Sequence, residues 1–319
     1  MINIMNYKYY NDILYILING CTVTNLPTTR QLQYFIALEK YRHFGRAAAA
    51  CFVSQPAFSI AIREFEHTLG LKLVDRTNKK VTITRIGQDI ATQSRLVLRD
   101  LQDLVETARI HTAPLSGRLQ LGVIPTVAPF LLPSLLPKLR RHFPELRLIL
   151  QEDQTLRIYE ALMEGELDII LIALPFELRN VEVMKLFTDP FHLAFRSGTA
   201  LLDPADYRIE QLPAESVLLM EDGHCLRDHA LTACKMRNVD KVSLVTASSL
   251  LTLIEMVDAD LGVTYLPEMA LGSWLLKNTR VRTVPLKSAP HREIGLIWRK
   301  GSARSGEFRE LGQFIRDNR

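Results

Sequence analysis

The sequence predicts an α/β protein with an all-α/winged N-terminal domain, and three patterns lead to this fold class. Residues 28–86 place short helical segments before a two-stranded segment with a basic tip. A single amphipathic segment follows over residues 87–112. From residue 118 onward, apolar strand-like segments alternate with helical ones, which is typical of a buried parallel sheet.

Length and charge limit the kinds of protein that this chain can be. Its 319 residues suggest roughly two to three domains, and 47% apolar residues are enough to form their cores. The net charge is +4, but residues 28–87 hold ten Lys or Arg against four acids, a local charge of +6. This imbalance favours a polyanion as partner, most often nucleic acid, although a solvated basic face would give the same count.

The cysteines indicate a reducing compartment. The four cysteines, at positions 21, 51, 225 and 234, are too sparse for a disulfide scaffold, and no Cys-x-x-Cys pair indicates a zinc site. Residues 1–27 contain an apolar run of six that is too short to cross a bilayer. We interpret them as a disordered extension or as a start codon placed too early. We therefore expect a cytoplasmic protein without a membrane span, a metal or a cofactor.

Capping residues and hydrophobic spacing predict three N-terminal helices. Thr28 or Thr29 would cap the first, which ends near residue 43. An alanine-rich helix over residues 44–51 leaves room for a close neighbour. Ser54 would cap the third helix, with Pro56 in its first turn, where the missing N–H costs nothing.

A hairpin then completes a winged helix-turn-helix. The third helix ends at Gly70, and residues 71–74 and 81–84 read as two strands with a basic tip. In such a domain the third helix enters the major groove by its N-terminal end. Amide side chains there can form hydrogen bonds with base edges, and lysines at the hairpin tip can bind phosphates. Each of these residues alone could also belong to a solvated polar face. The candidate DNA contacts are Arg46, Ser54, Gln55, Pro56, Ser59, Arg63, Arg76, Lys79 and Lys80.

The rest of the chain combines a linker helix with α/β units. Residues 87–112 carry an apolar stripe that one isolated helix could not bury, so a partner helix is implied. Ligands in parallel sheets bind at the carboxyl ends of strands, where Thr126 and Thr155 fall, although ordinary loop capping is an alternative. The predicted strands cover residues 118–124, 146–150 and 168–174, and the helices between them cover residues 130–142 and 156–164.

Four blocks of the N-terminal domain resemble a LysR-type transcriptional regulator. The chain departs from the family pattern at two places: Phe65 replaces the usual leucine, and Val74-Asp75 replaces the usual phenylalanine-glutamate. Neither change touches the candidate groove-facing residues. The matching blocks are Ala47–Ala50, Val53–Ser59, Ile62–Glu66 and Leu69–Leu73.

The resemblance extends over residues 28–319 and implies a domain plan. It implies a periplasmic-binding-protein-like regulatory domain of two lobes with a cleft between them. It further implies double-stranded promoter or operator DNA and RNA polymerase as partners, a homodimer through the linker helix, and a homotetramer. The expected ranges are 28–86 for the DNA-binding domain, 87–115 for the linker/dimerisation helix and hinge, and 116–319 for the regulatory domain, with lobe I at about 116–187 and 294–319 and lobe II at about 188–293.

Residues 223–228, with the sequence Gly-His-Cys-Leu-Arg-Asp, resemble peroxide-sensing members of that family, as does Cys234. The resemblance implies that Cys225 reacts with hydrogen peroxide and that Cys234 resolves the product. It also implies that neighbouring side chains bind or polarise peroxide. The candidate catalytic residues are Cys225, Cys234, His224, Thr126, Thr155, Arg227, Asp228 and Arg292.

Thiol chemistry supports this interpretation independently. The thiolate is the nucleophile, and a thiol of ordinary pKa is only ~3% ionised at neutral pH, whereas a pKa of about 6 would give ~90%. We expect His224, Arg227 or Arg292 to lower the pKa of Cys225 in this way, together with hydrogen bonds. The oxidised product, a sulfenic acid, condenses with a second thiol.

The spacing of the two cysteines predicts a structural change on oxidation. Residues 226–234 suggest a helix capped by Asp222. In such a helix the Cα atoms of Cys225 and Cys234 would lie ~13.5 Å apart, at 1.5 Å per residue. A disulfide requires Cα atoms within about 7 Å, so the segment would have to unwind.

Other interpretations remain open at this point. The cysteines could be small buried apolar residues in a regulator that binds a metabolite in the cleft. His224, Cys225 and His229 could hold a metal, but no fourth ligand has matching spacing. A thiol peroxidase is a further alternative, in which the basic domain would have no use.

Overall fold

The computed structural model describes residues 26–77, 80–110, 115–233, 239–287 and 289–319. The chain divides into two compact units, the first ending at Leu98 and the second beginning at Arg99. Residues 1–25, Lys79 and Cys234 lie outside the described residues. Within the described ranges, no helix combines the length and the apolar character that a membrane span needs.

The first unit has the predicted order of elements, and the predicted caps are confirmed. The Thr28 side chain accepts a hydrogen bond from the amide of Gln31, and that of Ser54 accepts one from the amide of Ala57. Gly70 ends the third helix with φ +65°, in the left-handed region that favours glycine. The elements are α1 (Thr29–Tyr41), α2 (Phe44–Ala50), α3 (Gln55–Leu69), and the antiparallel strands β1 (Val74–Thr77) and β2 (Lys80–Ile83).

The first strand begins three residues later than predicted. Leu73 and Val74 donate their backbone amides to the same oxygen of Glu66, over 2.8 and 3.0 Å. Because a side chain of α3 takes the Leu73 amide, this amide does not pair with the second strand, and the paired register begins at Val74. Leu73 is nevertheless fully buried in the core of the unit.

The linker helix α4 covers Arg85–Ile110 and begins two residues earlier than predicted. The Thr84 hydroxyl accepts a hydrogen bond from the amide of Gly87 over 3.0 Å, which caps the helix at this point. Val97, Leu101, Leu104 and Val105 lie exposed along it. Four residues of the apolar stripe inferred from the sequence are therefore unburied within the described part of a single chain.

The second unit begins with the predicted βαβαβ arrangement. Strand β3 pairs in parallel with both β4 and β5, and β5 is buried along its whole length. The elements of this part are β3 (Gly117–Val123), α5 (Ala128–His142), β4 (Leu146–Glu152), α6 (Thr155–Met163) and β5 (Ile169–Leu174).

Two long strands connect this sheet with a second lobe. Strand β6 pairs with β11 through its first ten residues and with β9 and β10 through its last ones. Strand β11 returns to pair with β5, so the C-terminal segment rejoins the first lobe, as the resemblance implied. The remaining elements are β6 (Val181–Arg196), β7 (Val217–Met220), α7 (Cys225–Ala233), β8 (Val242–Ala247), α8 (Leu250–Asp258), β9 (Thr264–Pro267), α9 (Glu268–Leu271), β10 (Val281–Pro285), β11 (His291–Arg299) and α10 (Ser305–Asn318).

Each lobe of the second unit has its own hydrophobic core. The core of the first lobe includes the leucine and valine residues of β3 and the whole of β5, together with Trp298 and Phe308. The core of the second lobe includes the whole of β7 and the middle two residues of β9, together with Phe191 and Ile254. The two-lobed α/β fold predicted from the sequence is confirmed.

Candidate functional site

Cys225 is the first residue of α7, one position before the predicted helix start. The chain reaches it through Gly223, whose φ of +94° strongly favours glycine. A Cβ atom at Gly223 would lie 2.8 Å from the side-chain oxygen of Gln154, which belongs to the first lobe. The loop before the helix therefore approaches the first lobe closely.

The Cys225 thiol lies between the two lobes. The residue is buried and packs into the core of the first lobe. Leu226 and Ala230, on the same helix, pack into the core of the second lobe. A change in the bonding of this sulfur would therefore act on the contact between the lobes.

Burial raises the pKa of the Cys225 thiol above its ordinary value. The charge of Arg292, the Thr155 hydroxyl and the backbone of Ala173 act in the opposite direction, and the Asp228 carboxylate raises the pKa further. The expectation that the pKa of this thiol is lowered is wrong for the structure described here. Desolvation outweighs the single nearby cation, because a thiolate in a closed interior lacks water to solvate it.

Two of the three side chains expected to lower the pKa of Cys225 as nearby cations do not do so. Burial lowers the pKa of His224, so its ring is neutral at pH 7, even though Oε1 of Glu221 lies 3.9 Å from its Nε2. The guanidinium of Arg227 pairs with Asp222 over 3.0 Å and donates to the carbonyl of Met220. Arg292 is therefore the cation that acts on Cys225.

Arg292 is fully buried and binds Thr126 through two hydrogen bonds. Its Nη1 donates to the Thr126 hydroxyl over 2.8 Å, and its Nη2 donates to the Thr126 carbonyl over 3.0 Å. Because the hydroxyl oxygen accepts from Arg292, the hydroxyl proton must point elsewhere. The contact leaves Thr126 able to donate a hydrogen bond to a small molecule.

Thr155 is the first residue of α6 and is almost fully buried. Its Oγ1 has no hydrogen bond of normal geometry among the described residues, although the hydroxyl is close enough to lower the pKa of Cys225. A buried hydroxyl without a partner is costly, which marks this position as one that a ligand could satisfy.

His229 lies one helical turn after Cys225, and the sequence singled it out only as a metal ligand. Its Nε2 lies 2.8 Å from the carbonyl of Pro175, so Nε2 must carry the proton. Its Nδ1 is then an acceptor, buried and without a partner among the described residues. Burial lowers the pKa of His229, which keeps this ring neutral at pH 7.

The described residues include no cluster of three or more His, Cys, Asp or Glu side chains that could hold a metal ion. The remaining described cysteine, Cys51, lies half-buried in the first unit, and burial raises the pKa of its thiol. Asp228 is exposed on α7.

The candidate DNA contacts of the first unit gather on one side of α3. Gln55, Pro56 and Arg63 are exposed and Ser59 is half-buried, and at 100° per residue the four fall within about 100° of the helix circumference. The Ser54 hydroxyl is used as the helix cap. Exposed Arg46 on α2 donates to the carbonyl of Tyr41, and Arg76 and Lys80 belong to the hairpin strands.

Both parts of the chain match family models. Residues 29–88 match the bacterial regulatory helix-turn-helix protein model of the lysR family, and residues 112–319 match the LysR substrate binding domain. A winged helix-turn-helix together with such a domain defines a DNA-binding transcriptional regulator, not an enzyme. The chain belongs to the LysR family.

Individual relatives cover nearly the whole chain. It is 38% identical to the HTH-type transcriptional regulator EstR of Acinetobacter baylyi over 89% of this chain and 94% of that protein. It is 37% identical to the hydrogen peroxide-inducible genes activator of Dickeya chrysanthemi over 91% of this chain and 95% of the relative. A structure of a full-length OxyR variant from Pseudomonas aeruginosa is similar with a TM-score of 0.75 and 34% identity, covering 91% of this chain and 94% of that one.

Proposed function

We propose that this chain is a transcriptional regulator that responds to hydrogen peroxide through oxidation of Cys225. The observation that carries the proposal is the position of this thiol between the two lobes, beside Arg292 and the buried Thr155 hydroxyl. The similarity to a hydrogen peroxide-inducible genes activator and to an OxyR structure supports the same function.

The reaction proceeds in two steps. The Cys225 thiolate attacks one oxygen of the peroxide, the O–O bond breaks, and the sulfur becomes a sulfenic acid. The leaving hydroxide takes up the proton that the thiol lost and becomes water. The thiol of Cys234 then attacks the sulfenic sulfur, forms the disulfide and releases a second water.

The polar groups around the thiol have separate roles in the first step. The Thr126 hydroxyl, held as an acceptor by Arg292, donates a hydrogen bond to the leaving oxygen. The Thr155 hydroxyl donates its one proton to the thiolate and can accept a hydrogen bond from the peroxide. His224, neutral and buried, binds peroxide as a hydrogen-bond partner rather than as a cation. The Thr126 contact strengthens as charge moves from sulfur to the leaving oxygen.

The second step changes the structure of α7, according to the proposal. Cys225 begins the helix and Ala233 is its last residue, so Cys234 follows directly. Continued helical geometry would leave the two Cα atoms ~13.5 Å apart, about twice the separation that a disulfide tolerates. The bond therefore requires α7 to unwind, which changes the packing of Leu226 and Ala230 in the second lobe.

Mass spectrometry of the thiols after a brief, low dose of peroxide tests the function. We expect a peptide pair linked through Cys225 and Cys234 to appear first, while Cys51 stays reduced. In a Cys234→Ser variant, we expect oxidation to stop at a sulfenic acid on Cys225. Unmodified Cys225 under these conditions would contradict the proposal and favour a regulator that binds a metabolite in the cleft with inert cysteines.

The proposal also includes the assembly and its partners. The exposed apolar residues of α4, such as Val97 and Leu104, support a homodimer through this helix, because a partner helix would bury them. We extend it to a homotetramer in the cytoplasm that binds promoter or operator DNA and contacts RNA polymerase. The DNA contacts are those named for α2, α3 and the hairpin, with Lys79 and Lys80 on phosphates.

We expect Gln55→Ala and Lys80→Ala to weaken DNA binding in different ways. Loss of a base contact by Gln55 would cost about 1–3 kcal/mol on the specific site and little on random DNA. Loss of a phosphate contact by Lys80 would weaken both and reduce the salt slope by about 1. Fluorescence anisotropy at several salt concentrations measures both, with Gln33→Ala, an exposed glutamine on α1, as control. An equal loss on all DNA for Gln55→Ala would contradict its base-reading role.

A further inference from the structure

Asp189 and Arg292 form a buried ion pair across the two strands that connect the lobes. They are direct partners in the antiparallel register of β6 and β11. Asp189 is 2% exposed and Arg292 is 1% exposed. Nothing in the local sequence around Asp189 indicates this partner, which lies 103 positions away.

Both oxygens of the Asp189 carboxylate are engaged. Oδ2 accepts a hydrogen bond from Arg292 Nε over 3.0 Å and lies 2.9 Å from Arg292 Nη2 in the ion pair. Oδ1 accepts from the backbone amide of Met269 over 3.0 Å. Met269 belongs to α9, so the carboxylate ties the guanidinium to a backbone position at a third element.

These contacts determine where the guanidinium points. The guanidinium is planar, and one edge of it, Nε with Nη2, is held by the carboxylate. Nη1 is then directed at the Thr126 hydroxyl, which it reaches over 2.8 Å. Without the carboxylate, the same buried cation would lose its counter-charge and the constraint on its plane.

We infer that Asp189 is a positioning residue for the reaction of Cys225 with peroxide, acting through Arg292 on Thr126. The inference rests on the proposed function. Asp189 keeps the guanidinium aligned so that the Thr126 hydroxyl accepts from Arg292 and directs its own proton at the leaving oxygen. Asp189 itself touches neither the thiol nor peroxide in this scheme.

Asp189→Asn in the full-length chain tests the inference. Asparagine keeps the shape and can still accept from the Met269 amide, but its NH₂ group cannot accept from Arg292. We expect the rate of Cys225 oxidation by peroxide to fall about 10- to 100-fold, since misplacement of a reacting group has effects of this size. Alkylation of Cys225 by iodoacetamide needs the thiolate but not Thr126, so its rate should stay within about threefold of wild type or rise.

Two further variants separate positioning from a general structural effect. Asp206→Asn removes an exposed carboxylate that pairs with Arg208 over 3.3 Å in the same unit, and we expect wild-type rates for both reactions. Asp189→Glu keeps the negative charge, but its side chain is longer by one methylene and would displace the guanidinium. We expect it to fold, to lose about three- to tenfold in the peroxide rate, and to keep its alkylation rate. This variant carries the test if Asp189→Asn does not fold.

The outcomes distinguish this inference from the proposed function. A wild-type peroxide rate in folded Asp189→Asn, or in Asp189→Glu if the former does not fold, would overturn the positioning role. An equal fall in the peroxide and alkylation rates would also overturn it, because that pattern indicates structural damage. A wild-type Cys225 that does not react with peroxide at all would instead refute the proposed function.

Discussion

Replacing Cys225 with serine is expected to abolish the transcriptional response to peroxide. A serine hydroxyl is not ionised at neutral pH, so the rate of oxidation at this position should fall by at least ~1000-fold. Serine is nearly isosteric with cysteine, so the packing between the lobes should survive. A promoter–reporter measurement in cells given peroxide, together with thiol mass spectrometry on the purified protein, would record the loss.

Cys51→Ser is the matched control for this experiment. Cys51 is half-buried in the DNA-binding unit, and the pKa of its thiol is also raised by burial. We expect the control to respond to peroxide as the wild type does. A normal response in Cys225→Ser, or a lost response in Cys51→Ser, would place the sensing group elsewhere.

Phe58→Ala is expected to unfold the first unit, which carries the DNA-binding helices, under conditions that leave the second unit folded. Phe58 is fully buried, its ring stacks on Tyr34 at 5.1 Å, and it meets the edge of Phe44 at 6.1 Å. Removing such a side chain costs about 3–5 kcal/mol. Because whole domains are stable by only about 5–15 kcal/mol, specific DNA binding should fall sharply.

Calorimetry and chemical denaturation would resolve this effect. We expect the transition of the first unit to move to lower temperature and that of the second unit to stay in place, because the core around Phe58 belongs to the first unit alone. Ile60→Ala is the control on the same helix. Ile60 is 48% exposed, so we expect a change within about 0.5 kcal/mol. Equal shifts for both variants would contradict the packing assigned to α3.

The helices of the DNA-binding unit could be predicted because their signals are local. Thr28 and Ser54 cap helices through amides three residues away, and Gly70 ends α3 through its own backbone conformation. The start of β1 could not be predicted. It depends on Glu66 of α3, whose carboxylate accepts hydrogen bonds from the backbone amides of Leu73 and Val74.

The candidate site could be predicted only in part. Strand ends indicated Thr126 and Thr155, and the resemblance to peroxide-sensing regulators supplied Arg292. Two features of the site were not predicted. These are Asp189 as the counter-ion of Arg292 and the buried acceptor nitrogen Nδ1 of His229. Neither has a neighbour in the sequence that identifies its role, since Asp189 is recognised only through its register with Arg292 across two strands.

The sequence by itself determined the fold class, the winged helix-turn-helix and the pair of cysteines in their motif, because periodicity, caps and motif spacing are properties of short segments. Only the tertiary structure decided the electrostatics of the site. Cys225 is desolvated where it packs into the core of the first lobe, and Arg292 reaches Thr126 from 166 positions away. Desolvation and ion pairing depend on what folding brings into contact, so the direction of the thiol pKa could not be read from neighbouring residues.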